Sequence, residues 1–362
     1  MNLPLYHVWN YTDVDAQFWR DHLEGWVPHR LFDAHTHVMD TRFRRSPMTE
    51  AKRRQYWVNE VFEPIDAPTA ARCFETVFPR REFSCLVFGY PDLEFDIEAG
   101  NAYLQNECMK RGWYNLAITR PQWSQHKLAA LLEHPAVVGV KPYYTLIGEC
   151  AETRDAHLEA SIFDFLPHRQ LEVLNDRGAW VTLHVPRARR LGHPDNLREI
   201  RELRRRYPNV VLVVAHLGRS YTEPHALEAL PALADDPRIY FDTAAVLNPA
   251  CFRIALEQFG PSRLLYGTDN PICYLRGRRQ FRGREYTNRT SYPFHFNKDR
   301  EPPEIEAQYT LLMYEDLWAI KQACAAAHIA DAASISAIFH DNAARLIGSV
   351  LARKSQTISA GG

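Results

Sequence analysis

Six polar residues stand where short apolar runs end: His35, His37, Lys141, His184, His216 and Asp269. Imidazole and carboxylate are the donors that zinc and similar divalent ions take. The spacing His35-x-His37 puts both rings on one face of a strand, because successive side chains alternate sides. Both rings can then reach one ion, at roughly 2.0–2.1 Å if it is zinc. Ligands from distant strands would complete such a cage and leave one position for water, which a bound cation acidifies toward pH 7. A strand-end histidine taken alone is more often a polar residue at a loop mouth. The joint pattern is what points to a metal site. Histidines elsewhere, such as His126 and His193, fall in helices or connections and read as ordinary polar positions.

Converging these six residues requires elements that end on a common face. Eight apolar runs of strand length recur, at 31–38, 83–89, 114–120, 136–144, 179–186, 209–218, 239–246 and 263–271. Helical patterns lie between them; in NLREIRELRRRYPNV, Leu197, Ile200 and Leu203 share one face and arginines the other. Strands alternating with helices imply parallel strands joined by crossovers. Runs without period-two alternation imply strands covered on both faces. Eight such units predict an α/β fold, a (β/α)₈ TIM barrel whose strand C-termini open onto one mouth. The competing fold, an open doubly wound sheet, lacks support because no G-x-G-x-x-G follows the first strand.

Residues 1–349 are expected to form a single barrel domain, with 1–30 a helical lead-in in which Phe18, Leu23 and Trp26 share a face. Long insertions follow strand 1 (39–80) and strand 8 (272–303), C-terminal helices fill 304–349, and 350–362 read as a disordered tail. The second insertion is basic and aromatic, with eight Arg or Lys against three acids, the composition of a subunit interface, a mobile loop or a lid.

The net charge of -1, from 43 basic and 44 acidic residues, gives no overall pull toward nucleic acid or an anionic membrane. Seven cysteines without a C-x-x-C pair argue against a disulfide framework and a zinc finger. The N-terminus lacks the basic and apolar regions of a signal peptide, and no apolar run approaches the ~18 residues of a membrane span. A cytoplasmic protein with no nucleic-acid or membrane partner is expected, with a homodimer as the default assembly.

The motifs FDAHTHV, GVKPYY, TLHVPR, VAHLGRSY, YGTDNP and HDNAARLIG, in this order from about residue 31 to 349, resemble the amidohydrolase superfamily, in its amidohydrolase-2 branch. The resemblance implies a barrel with one or two divalent metals, zinc before manganese or iron, and one per chain before two. In the one-metal form it implies His35, His37, His184 and Asp269 as ligands, with His216 beside the metal as acid/base or orienter. In the two-metal form a carboxylated Lys141 bridges the ions and His216 binds the second. The implied chemistry is hydrolysis of a C–N or C–O bond, in an amide or in a lactone or ester. Asp269 would take the proton from water, and His216 would stabilise charge on the carbonyl oxygen.

Candidate substrate contacts follow the strands: Tyr143, Arg187, Arg190, Arg219 and Tyr221. Arginines near a site favour carboxylate or phosphate, so a small anionic substrate is expected. The branch also holds nonoxidative decarboxylases of aromatic or unsaturated acids, many with an acidic residue where this chain has His35, which tilts the reading to hydrolysis. A degenerate barrel that binds ligand without turnover is the remaining alternative.

Overall fold

The computed structural model describes residues 2–151, 155–298 and 300–360. The chain opens not as the expected helical lead-in but as an antiparallel hairpin, β1 (Asn2–Tyr6) and β2 (Trp9–Thr12). Tyr6, Trp9 and Tyr11 bury their rings there, and aromatic residues favour the pleated surface. A helix (Asp13–Phe18) and a wider turn (Trp19–Leu23) follow, so the helical part of the reading holds only from Asp13 onward.

The eight expected strands are all present: β3 (Arg30–His37), β4 (Glu82–Phe88), β5 (Tyr114–Ile118), β6 (Val137–Lys141), β7 (Trp180–Leu183), β8 (Val211–Val214), β9 (Ile239–Asp242) and β10 (Leu264–Leu265). They pair in parallel in chain order. Backbone bonds at the mouth join the last strand to the first: Ala34 N to Tyr266 O at 2.8 Å, Asp269 N to His35 O at 2.8 Å and His37 N to Asn270 O at 2.7 Å. The result is a (β/α)₈ barrel with helices between the strands.

Alternate residues of each strand serve two cores. Phe32, Leu86, Leu116, Val138, Trp180 and Val213 belong to one cluster, completed by Leu346, Ile347 and Val350 of the last helix. Leu31, Cys85, Val137, Val181, Leu212 and Ile239 belong to the larger one, shared with the surrounding helices. Both faces are therefore apolar, which explains the uninterrupted runs in the sequence. At Gly139 a Cβ would lie 1.9 Å from the carbonyl oxygen of Trp180, so only glycine lets β6 and β7 approach there.

The last helix runs from Asn342 to Ala360, where disorder was expected from 350. Leu351 packs on the core, and Lys354 donates to the Val137 carbonyl at 3.1 Å, which anchors the extension. Residues 361 and 362 lie outside the described residues. The insertion after β10 carries a second hairpin, β11 (Gly277–Arg282) and β12 (Glu285–Thr290). Among the described residues, no helix is long and apolar enough to cross a membrane.

Candidate metal centre

His35 and His37 end β3, Lys141 ends β6, and His184, His216 and Asp269 follow β7, β8 and β10. All six line one cavity at the C-terminal mouth of the barrel, of about 1030 Å³ including its opening. The side-chain donor atoms of His35, His216 and Asp269 lie within 4.8 Å of one another. His35 Nε2 and His37 Nε2 approach Asp269 Oδ1 at 3.4 and 3.5 Å. The His184 ring sits 5.4 Å from that of His216 and 4.6 Å from that of Tyr143.

The hydrogen bonds behind the rings decide what the rings present. His37 Nδ1 faces the Gly89 carbonyl at 3.0 Å, and His216 Nδ1 faces the Ala244 carbonyl at 2.8 Å. A carbonyl oxygen only accepts, so Nδ1 carries the hydrogen in both rings and Nε2 offers a lone pair. His35 Nδ1 lies 2.8 Å from Asp242 Oδ2, and its buried Nε2 has no hydrogen-bond partner among the described residues. Imidazole lone pairs converging with a carboxylate on one buried spot are the donor set of a divalent transition metal, so the residues present fit such an ion.

Electrostatics agree with the geometry. Burial pushes the His216 ring down to about 4, and takes His35 well below its usual value, so both rings are neutral at pH 7. Burial would raise Asp269, but the surrounding rings of His216, His37 and His35 outweigh it and hold the carboxyl well below the usual range. Burial lowers Lys141 to about 8, opposed by Asp242 and Asp269. The backbone is held in the left-handed region at His216 (φ 55°) and Asp269 (φ 57°), a conformation that costs of order 1 kcal/mol or more outside glycine and clusters at functional sites.

With its Nδ1 hydrogen directed at Ala244, the His216 ring has the Nε2 lone pair left to offer.

The substrate contacts divide. Tyr143 and Tyr221 line the cavity, whereas Arg187, Arg190 and Arg219 do not. Arg187 is buried and turned onto the helix Pro194–Arg206, with Nη2 2.8 Å from Glu199 Oε1 and Nη1 2.6 Å from Asn196 Oδ1. Arg219 donates to the carbonyls of Arg187 and Val185, and the Arg190 guanidinium lies over the ring of the pocket residue Tyr221 at 5.2 Å. Cations that do line the cavity come from the first insertion: Arg44, paired with Glu63, and Lys52, 2.7 Å from Asp92 and 2.8 Å from Glu94. Lys141 Nζ, also in the lining, is buried and has no hydrogen-bond partner among the described residues. Tyr56, Phe62, Tyr90 and Phe95 complete an aromatic wall, with Tyr90 parallel to His37 at 5.5 Å. Tyr56 and Phe62 come from the first insertion, and Tyr90 and Phe95 from the segment after β4.

The second insertion supports the site from behind. Arg279 lies 5.5 Å from the ring of Tyr221 and 4.3 Å from that of Tyr286, and donates to the Ala245 carbonyl at 2.6 Å. Glu60 of the first insertion accepts from the backbone N–H groups of His295 and Phe296, which ties the two insertions together.

A family profile described as amidohydrolase matches residues 32–348. The chain belongs to the amidohydrolase family. Solved amidohydrolase-like structures share its fold at low identity. A probable 2-pyrone-4,6-dicarboxylic acid hydrolase from Acinetobacter baumannii, with citric acid bound, superposes with a TM-score of 0.53 at 15% identity, covering 88% of this chain and 99% of its own. An amidohydrolase from Burkholderia multivorans with bound zinc gives 0.57 at 14%, with the same coverage. A 5-carboxyvanillate decarboxylase from Sphingomonas paucimobilis gives 0.51 at 12%, covering 89% and 99%. Among curated proteins, none matches the chain. Membership places this amidohydrolase barrel in a metal-dependent family of enzymes, consistent with the buried His-His-Asp grouping.

Proposed function

We propose that the protein is a metal-dependent hydrolase that cleaves a C–N or C–O bond, in an amide or in a lactone or ester, of a small anionic molecule. The convergence of imidazole lone pairs and the Asp269 carboxylate on the floor of an aromatic-walled cavity carries this reading. His35, His37, His184 and Asp269 would hold one divalent cation, zinc first and manganese or iron as alternatives, and the tight grouping brings in His216 as a ligand too. Such a cation, when bound, supplies Lewis acidity that polarises a carbonyl and acidifies water.

The chain's own residues do the rest. Asp269, kept ionised by its imidazole neighbours, accepts the proton of the attacking water on a carboxylate oxygen and returns it to the leaving nitrogen or oxygen. Lys141 Nζ donates to the substrate's anionic group, the need its buried, unpartnered position creates. If two cations bind, Lys141 serves instead as a carboxylated bridge. Tyr143, Tyr90 and Tyr221 flank the reacting molecule and exclude water.

The aromatic wall favours one second reading, decarboxylation of a planar aromatic or unsaturated acid. His35 in place of an acid stands against it. Metal content per chain, measured by plasma emission on protein purified without added metal, tests the first step in wild type and His184→Ala. About one zinc or manganese per chain, lost in the variant, supports the one-metal site, and about two brings in Lys141. No metal after reconstitution with zinc, manganese and iron refutes the reading. A panel of anionic amides, lactones and aromatic acids then separates ring opening or amide cleavage from release of CO₂.

A further inference from the structure

Asp242, the last residue of β9, is fully buried, yet its carboxylate reaches two candidate ligands, His35 on β3 and His216 just after β8. Oδ2 lies 2.8 Å from His35 Nδ1. Oδ1 accepts the backbone N–H of His216 at 2.7 Å and that of Ala244 at 3.3 Å. Two residues on, the Ala244 carbonyl receives the His216 ring. The end of β9 therefore grips His35 by its ring and His216 by both backbone and ring, although it supplies no donor to the grouping itself.

We propose that Asp242 is a positioning residue that selects the His35 tautomer, keeping the hydrogen on Nδ1 and the lone pair of Nε2 aimed into the site. The inference rests on the metal-binding reading above. The logic is an acceptor count. The His216 and Ala244 N–H groups demand an oxygen at the Oδ1 position. In Asp242→Asn the amide oxygen must fill that place, which leaves the amide NH₂ facing His35 Nδ1. Two N–H groups cannot face each other, so the His35 hydrogen moves to Nε2 and the ring shows the cation an N–H instead of a lone pair. Size, shape and the His216 anchor are retained, so the change acts on the ligand and not on the fold. Carboxylates behind ligating histidines typically contribute about 10–100-fold in metal affinity.

The test uses the full chain with ¹⁵N-labelled histidine, stripped of metal by chelation. Long-range ¹H–¹⁵N spectra, with His35 assigned by its loss in His35→Gln, should show the Nδ1–H tautomer in wild type and Nε2–H in Asp242→Asn. Zinc affinity, measured by competition with a chromogenic chelator, should fall about 10–100-fold in the variant. The melting temperature of the metal-free protein should stay put. A wild-type His35 in the Nε2–H form overturns the proposal without any variant, and so does an Asp242→Asn protein that keeps the wild-type tautomer and zinc affinity. If wild type binds no zinc, the metal reading fails, while the tautomer spectra of the metal-free chain still decide whether Asp242 sets the ring.

Discussion

Arg187→Met should weaken the fold and leave substrate recognition untouched. The Arg187 and Glu199 side chains are only 8% and 5% exposed, joined by contacts of 2.8 and 3.2 Å. Glu199 also accepts the backbone N–H of Ile162 at 2.8 Å, so its carboxylate cannot swing out to solvent when the arginine is gone. Removing one partner of a buried ion pair costs about 3–5 kcal/mol, because the other charge stays desolvated. Unfolding entropy near 2.1 cal/mol/K per residue, over 362 residues, gives about 0.76 kcal/mol/K, so a loss of about 4 kcal/mol lowers Tm by about 5 °C. Calorimetry reads that shift. Arg187→Met with Glu199→Met should recover much of it, since replacing both partners with apolar groups is often close to neutral. Steady-state kinetics on the single variant should show KM unchanged. A Tm within about 1 °C of wild type together with a tenfold rise in KM would refute the reasoning and return Arg187 to the substrate.

Asp269→Asn should abolish turnover, because the amide cannot take the proton from water; retained activity, measured with a substrate found in the panel, removes that role. Chelation should lower both activity and Tm, and added zinc should restore both, as for any ligand that binds only the folded state; no change in Tm counts against the metal site. Glu315 carries a carboxyl pushed up to about 7 by burial, with Arg278 only partly opposing. The raised value penalises folding where the unfolded chain is ionised, so the penalty is absent below about pH 4.5, grows up to pH 7 and is full above it. Glu315→Gln should therefore stabilise by up to about 3 kcal/mol at pH 8 and by little at pH 4.5, and equal melting shifts at the two pH values would contradict the assignment. Gly139→Ala should yield little soluble protein, since its Cβ would overlap the Trp180 carbonyl 1.9 Å away.

Periodicity was enough to find the barrel, because each strand is covered on both sides and reads as an unbroken apolar run. The cavity's polar floor was legible for the same reason: a strand that turns polar at its end names the residue at the mouth. Partners set by three-dimensional proximity were not legible. Arg187 and Glu199 are twelve positions apart, on a loop and on a helix, and nothing in their spacing says that the arginine folds back. Asp242 sits at the end of IYFD, the same kind of place as the other six, but its role lies in contacts with strands far away in sequence. The N-terminal hairpin was not legible because its turn interrupts the spacing of Tyr6, Trp9 and Tyr11, while Phe18, Leu23 and Trp26 downstream fit a helical stripe. The tail after 349 looked disposable in composition, and its anchoring through Lys354 depends on carbonyls around residue 137.

The bonds that join the last strand to the first pass through the site. Asp269 N binds His35 O, and His37 N binds Asn270 O, while β10 itself pairs over only two residues. The ring of strands is thus buttoned shut by the same few residues whose side chains would grip the ion. A cation there would act as a rivet across the seam as well as a reagent, tying the two ends of one continuous barrel together. Substitutions at these positions would then lower yield and activity in step, and loss of function alone would misreport which of the two was damaged. Fragments cut between β9 and β10 would, by the same token, have their reassembly governed by the concentration of metal.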